Sequence, residues 1–166
     1  MQFVAPCLLG LEGLAANDLK FKGIEDVRAE NGRVLFSGDE ATLVRANLCS
    51  SLCARIGILL AEFEARDFDT LFEGVKAIDW SRFIGEHDAF PVKGNSLSSV
   101  LTSIPACQKI IKKAVVEKLK ESYRTSWFKE DGGVHQILFR IFKNRVTILL
   151  DTTGPALNKR GYRALS

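Results

Sequence analysis

Hydrophobic positions along the 166 residues change period several times, and each change predicts an element. Residues 2–9 form a short apolar run that reads as a strand. Leu11, Leu14, Ala15, Leu19 and Phe21 then recur at helical spacing, and Gly23 closes that helix, because the residue after a helix commonly turns left-handed. Two short runs, 24–30 and 33–37, flank Asn31-Gly32, a dipeptide suited to a tight hairpin. Asp39 caps a second helix carrying Leu43, Val44, Ala46, Leu48 and Leu52, and residues 55–63 read as a closing strand. The order is βαββαβ, a split βαβ arrangement of ferredoxin-like type.

A second unit begins at Asp67-Phe68-Asp69. Phe68, Leu71, Phe72, Val75 and Ile78 give an amphipathic helix that ends near Asp79-Trp80. Residues 89–93 predict a brief strand, and residues 94–103 (GNSLSSVLTS) a polar, flexible loop. Ser103 and Pro105 mark the start of a long helix reaching about Tyr123. A hairpin of 134–142 and 146–151 follows, turning at Lys143-Asn144-Arg145. The fold class is α+β, with no internal repeat.

Composition narrows the class only a little: 46% hydrophobic and 26% charged residues describe an ordinary globular chain. No apolar run approaches the ~20 residues that cross a bilayer, and no basic segment precedes the first apolar residues, so neither a membrane span nor a secretory leader is expected. Cys7, Cys49, Cys53 and Cys107 are irregularly spaced, which suggests reduced, structural thiols and a cytoplasmic setting. With His87 and His135 the only histidines, no metal site is expected.

Charge changes the picture more. Residues 1–90 carry nine Lys and Arg against fifteen Asp and Glu, whereas residues 91–166 carry fourteen against five. An acidic half joined to a basic half points to a polyanionic partner. The long helix concentrates the excess. Cys107, Ile111, Ala114, Val115 and Leu119 form its apolar stripe, while Lys109, Lys113, Val116 and Lys120 form another, with Lys112 beside them. Like charges four residues apart repel, so such a ridge favours a ligand that neutralises it. Lys93-Gly94-Asn95-Ser96 and the following Ser98, Ser99, Thr102 and Ser103 offer small hydroxyls and backbone N–H groups at a helix start, a setting that suits phosphate. At the far end, Lys159, Arg160 and Arg163 surround Tyr162, which can stack on a base.

No catalytic constellation is legible. Gly10-x-x-Gly13 lacks the third glycine of a dinucleotide loop and reads as a tight turn. Glu62 and Glu64 share a strand face, which a solvated surface explains without acid–base chemistry.

Four segments together (FPVKGNSLSSV, PACQKIIKKAVVEKL, the Glu130-Asp131-Gly132 turn and LLDTTGPALNKRGYR) resemble the THUMP domain of bacterial ribosomal RNA guanine-N2 methyltransferases. The first 65 residues are similar to the small ferredoxin-like domain that precedes THUMP in that family. The family ending more often has Ser and His where this sequence has Thr153 and Asn158. The resemblance implies a ferredoxin-like domain over 1–66, a THUMP RNA-binding domain over 67–158, and a connector beginning at 159–166. It also implies RNA as partner, ribosomal RNA foremost with transfer RNA as the alternative, held by Lys93, Ser96, Lys109, Lys112, Lys113, Lys159, Arg160, Tyr162 and Arg163. In the family a Rossmann-like S-adenosylmethionine domain follows the KRGYR segment, with its own glycine-rich cofactor loop and Asn-Pro-Pro-Tyr-type motif. Neither motif occurs here, so methyl transfer and its cofactor are expected of a further domain. The competing expectations are a standalone adaptor that delivers RNA to a separate enzyme, and a small-ligand-binding ferredoxin-like domain.

Overall fold

The computed structural model describes residues 1–30, 32–49, 56–124 and 133–151, apart from the side chains of 47–49. The first six elements follow the expected order: β1 (Gln2–Pro6), α1 (Glu12–Phe21), β2 (Arg28–Glu30), β3 (Arg33–Ser37), α2 (Glu40–Cys49) and β4 (Gly57–Glu64). After them come α3 (Phe68–Lys76), a 3₁₀ turn (Trp80–Arg82), β5 (Val92–Leu97), α4 (Ile104–Tyr123), β6 (Ile137–Phe142) and β7 (Arg145–Asp151).

Local chemistry sets most of these boundaries. Asp39 Oδ1 accepts from the Thr42 N–H at 3.0 Å, Asp67 Oδ1 from Thr70 at 2.6 Å, and Ser103 Oγ from Ala106 at 3.4 Å, each satisfying a helix-start donor. Gly23 follows α1 at φ +82°, the left-handed turn that the sequence requires there. Lys143 and Asn144 both have positive φ, 50° and 66°, as a tight hairpin turn demands, and Arg145 is the first residue of β7 rather than part of the turn. Glu12 accepts from the N–H groups of Gly10 (2.8 Å) and Gly32 (2.7 Å), tying the start of α1 to the hairpin. The Gly32 N–H above all holds the Glu12 carboxyl below the ordinary glutamate range.

All seven strands form one sheet in the order β2-β3-β1-β4-β7-β6-β5. The first four carry the antiparallel ferredoxin-like order. The junction of β4 with β7 runs from Gly57↔Asp151 to Glu64↔Arg145, with a bulge between Leu59 and Ala61. The two units read from the sequence thus share a continuous sheet. Among the described strands β5 and β6 alone pair in parallel, joined by the crossover through α4, and the isolated Ala89–Val134 bridge has the same sense.

The main core lies on the face covered by the helices, where Phe3, Phe36, Leu43, Leu71, Trp80, Ile111, Leu119 and Ile137 are fully buried. Trp80 Nε1 donates to the Val75 carbonyl at 2.8 Å, so its one polar atom is satisfied inside. Val4, Leu35 and Leu149, with Leu59 and Leu138, form a smaller cluster on the opposite face.

Three details differ from the sequence reading. Leu14 and Phe21 are exposed, whereas Ala15 and Leu19 pack inward as their spacing requires and Ala16 joins them. The strand expected at 89–93 lies at Val92–Leu97, with Ala89 reduced to an isolated bridge to Val134. The segment 94–97, expected to be loop, is therefore paired backbone. It shows no apolar alternation because it is an edge strand, whose ladder to β6 and not a hydrophobic pattern defines it.

A polar clamp joins the segment before β5 to the one before β6. Asp88 accepts from the Gly85 N–H at 2.8 Å, the Gly133 N–H at 2.9 Å and His135 Nε2 at 3.0 Å. Tyr123 Oη donates to the Ile84 carbonyl at 2.7 Å. Burial pushes the Asp88 carboxyl up, but the two N–H groups and His135 outweigh it and leave it below the ordinary aspartate range. A carboxyl depressed by folding stabilises above its unfolded pKa of about 3.9 and loses that contribution as pH falls through its lower folded value. The chain should therefore lose stability in acid below about pH 4. Asp88→Asn should melt lower at neutral pH and show a flatter loss in that acid window; an unchanged acid profile in thermal melts would exclude the clamp as its source.

Candidate nucleic-acid interface

The interface starts from α4. Cys107, Ile111, Ala114, Val115 and Leu119 are all buried against the sheet, as their spacing requires. Burial pushes the Cys107 thiol up, the opposite of what a reactive thiolate needs. Lys109 and Lys113 are left exposed one turn apart. Lys112 is half-buried, its Nζ 4.5 Å from the Phe90 ring centroid, and Lys113 Nζ lies 5.9 Å from that of Phe72. The helix's acidic residues sit towards its C-terminal end. Glu117 approaches Lys120 at 3.6 Å, and Glu121 pairs with Lys76 of α3 at 2.9 Å. Lys120 is thereby neutralised within the helix, and the cationic excess falls on its first half, whose first turn holds no acidic residue.

Lys109, Lys112 and Lys113 rim a groove of about 490 Å³ whose apolar wall is Pro91, Val92 and Pro105. Gln108 Nε2 donates to the Val92 carbonyl at 3.2 Å, pinning α4 to the edge strand beneath it. Ammonium groups over an apolar wall can hold phosphates while a base or sugar covers the wall.

The serine-rich segment contributes differently from what its composition suggests. The Ser96 hydroxyl donates to the Leu101 carbonyl. Ser99 Oγ donates to the Leu97 carbonyl at 2.9 Å and accepts from the Asn144 N–H at 2.9 Å, while Asn144 Oδ1 accepts from the Val100 N–H at 2.8 Å. Ser103 caps α4. These groups satisfy the backbone of a turn, a use that competes with ligand binding, so the proposed phosphate seat is largely occupied by the protein itself.

Register separates Lys93 from the α4 lysines. In the parallel ladder Lys93 lies opposite Leu138, and Leu138 belongs to the helix-free cluster. Lys93 therefore projects from the other side of the sheet. Lys159, Arg160, Tyr162 and Arg163 lie outside the described residues. Two cations that the sequence reading passed over, Arg140 and Lys143, join Lys93 on the helix-free side. Their signal was the alternation of ILFRIF, which turns Arg140 away from the buried Ile137, Phe139 and Ile141.

Other chemistry is taken up structurally. Glu62 bridges Arg33 and Arg145, each at 3.1 Å, and Glu64 pairs with Arg66 at 2.8 Å. Among the described residues no group of three His, Cys, Asp or Glu is placed to hold a metal, and no helix is long and apolar enough to cross a membrane.

Comparison with known proteins adds to this geometry. Residues 2–57 match the family model described as the RlmL ferredoxin-like domain, and residues 65–151 match that of the THUMP domain. The chain is 41% identical over 162 residues to the Bacillus subtilis protein named "Putative RNA methyltransferase YpsC", covering 96% of this chain and 42% of that protein. It is 31% identical over 159 residues to a Pseudomonas putida ribosomal RNA large subunit methyltransferase K/L, covering 95% of this chain and 22% of the other. Among solved structures, a Listeria monocytogenes protein titled "predicted N6-adenine-specific DNA methylase" matches at TM-score 0.88 and 40% identity, over 98% of this chain and 43% of that one. SMU.472, titled "a putative methyltransferase complexed with SAH", matches at TM-score 0.87 and 38% identity, over 98% and 44%. The chain thus spans less than half the length of these relatives.

Proposed function

The chain belongs to the THUMP domain family, with an RlmL ferredoxin-like domain ahead of it, and on that premise we propose that it captures RNA for a ribosomal RNA guanine-N2 methyltransferase. In this reading residues 1–66 are the ferredoxin-like domain, 67–158 the THUMP domain and 159–166 the beginning of a connector. The observation that carries it is the α4 groove, where Lys109, Lys112 and Lys113 crowd one apolar wall away from the carboxylates of the helix.

The chain's own chemistry in this function is positioning. The lysines hold phosphates, and Lys159, Arg160, Tyr162 and Arg163, cations around an aromatic ring, would add to that contact. Phosphate contacts set orientation without reading sequence. The methyl group would come from S-adenosylmethionine held by residues beyond this sequence, a cofactor choice supported by the SAH named with one relative. The described residues do not fit that cofactor: the Gly10 turn, which has the strand-to-helix setting of a nucleotide site, commits its N–H to Glu12. The same occupied turn argues against a small-ligand function for the ferredoxin-like domain.

Lys109→Gln with Lys113→Gln should weaken binding of a single-stranded oligoribonucleotide about tenfold, and lower the magnitude of the log–log salt slope by about 1.4. The melting temperature should stay nearly constant, since both side chains are exposed. Unchanged affinity in fluorescence anisotropy would remove the groove from the interface. The DNA methylase title of one relative favours a second reading, in which the polyanion is DNA. A matched pair of RNA and DNA strands in the same assay separates the two.

A further inference from the structure

The sheet face opposite the helices has an uneven distribution of charge. Towards β2, β3 and β4, carboxylates stand among the cations: Arg33 pairs with Glu30 at 2.8 Å and with Glu62 at 3.1 Å, and Glu62 also holds Arg145, while Arg28, opposite Leu35, is the cation there that no carboxylate pairs among the described residues. Strands β5 and β6 contain no Asp or Glu, and among the described residues no carboxylate pairs with Lys93, Arg140 or Lys143.

The parallel register assembles these groups. Lys93 lies opposite Leu138, Asn95 opposite Arg140 and Leu97 opposite Phe142, so all six project to one side. Lys93, Asn95, Leu97, Arg140 and Lys143 are exposed. The Arg140 guanidinium and the Lys143 ammonium lie 5.2 and 5.3 Å from the Phe142 ring centroid. An edge-strand lysine alone is explained as a guard against strand addition. That explanation does not extend to Arg140, which sits on an inner strand, nor to Lys143 in the turn. A guanidinium plane beside an aromatic ring, with an amide and two further cations around it, is the equipment that holds an unstacked base and its phosphates.

We propose that the helix-free face of β5 and β6 is a second contact for single-stranded RNA, in which Lys93, Arg140 and Lys143 hold phosphates, the Arg140–Phe142 pair supports a base, and Asn95 meets a base edge. This rests on the RNA-capture reading and extends it. Val92 lines the α4 groove while its neighbour Lys93 faces the opposite side, so the two surfaces are separated by the thickness of one edge strand. One RNA strand bending over β5 would engage both.

The test uses the 166-residue chain, a fluorescent single-stranded oligoribonucleotide about 20 nucleotides long, and a salt series. Arg140→Gln with Lys143→Gln should weaken binding about tenfold and lower the magnitude of the salt slope by about 1.4, with the melting temperature little changed. Ultraviolet cross-linking of the wild-type complex should mark a peptide within 137–143, a readout independent of whether the variant folds. Unaltered affinity and slope in the variant, with no cross-link there, would overturn the second contact while leaving the α4 groove standing. Wild-type protein that binds no RNA would overturn both, and wild-type binding lost only in Lys109→Gln/Lys113→Gln would confine the interface to the helix side.

Discussion

Replacing Gly94 by Val should unseat β5 from the sheet and lower the melting temperature by roughly 10 °C, the equivalent of about 3 kcal/mol in a chain of this size. Gly94 lies opposite Phe139 in the parallel ladder, with Phe139 turned into the helix-covered core. A Cβ at position 94 would be driven into the Phe139 carbonyl and ring. The carbonyl is backbone within a sheet, so it cannot swing aside as a side-chain tip can. Relief therefore requires β5 to move, and with it the wall of the α4 groove and the placement of Lys93. The control is Gly13→Ala, where a Cβ would meet nothing within 4 Å and the helix should gain about 0.5–1 kcal/mol. Differential scanning calorimetry of the two variants checks the pair. A Gly94→Val protein that melts with the wild type would mean that β5 is not held against β6 in this register.

Ile111→Asp should have a still larger effect and leave the chain substantially unfolded. Ile111 is fully buried on the stripe of α4 that meets the sheet, in the same core as Trp80, Leu119 and Ile137. Aspartate there removes the apolar contact and buries an unpaired carboxylate, together costing on the order of 5 kcal/mol, comparable to the whole stability of a marginal domain. Ile111→Val, which deletes only a methylene, should cost about 0.5–1.5 kcal/mol. Circular dichroism should show loss of cooperative melting in the first and a small shift in the second. The contrast with Lys113, two residues away and exposed, separates fold from function on one helix. Ile111→Asp loses structure and RNA binding together, and the lysine variants lose binding alone. A cooperatively folded Ile111→Asp would place that face of α4 at the surface.

The legible parts of this molecule are those with local causes. Helix α4 has a capping Ser103, Pro105 and an apolar stripe of 3.6-residue period over twenty residues, and the structure follows all three. The β6–β7 turn is written in Lys143-Asn144, and Gly32, which leads into β3, has the positive φ that a glycine supplies; Asn31 lies outside the described residues. Strand β5 is not legible in the sequence because VKGNSL has no apolar alternation. The side facing the core needs small residues, Gly94 for the approach of Phe139 and Ser96 for its bond to Leu101, and the other side faces solvent. The β4–β7 junction, which makes one sheet of two expected units, pairs residues more than eighty positions apart and has no local signature. At the interface, the lysine ridge of α4 was readable from charge and periodicity. The face of Lys93 was not, because it depends on which residue of β6 lies opposite. The serine cluster misled for a different reason: hydroxyls that suit a phosphate also suit the carbonyls of their own turn.

The direct measurement is the salt dependence of single-stranded RNA binding by the intact chain. Neutralising about six phosphates should make the log of the binding constant fall with the log of salt at a slope on the order of −4. The cationic surfaces of α4 and of β5–β6 predict that steep fall. Binding that stays flat as salt rises, or no binding at low salt, would contradict the role assigned to them.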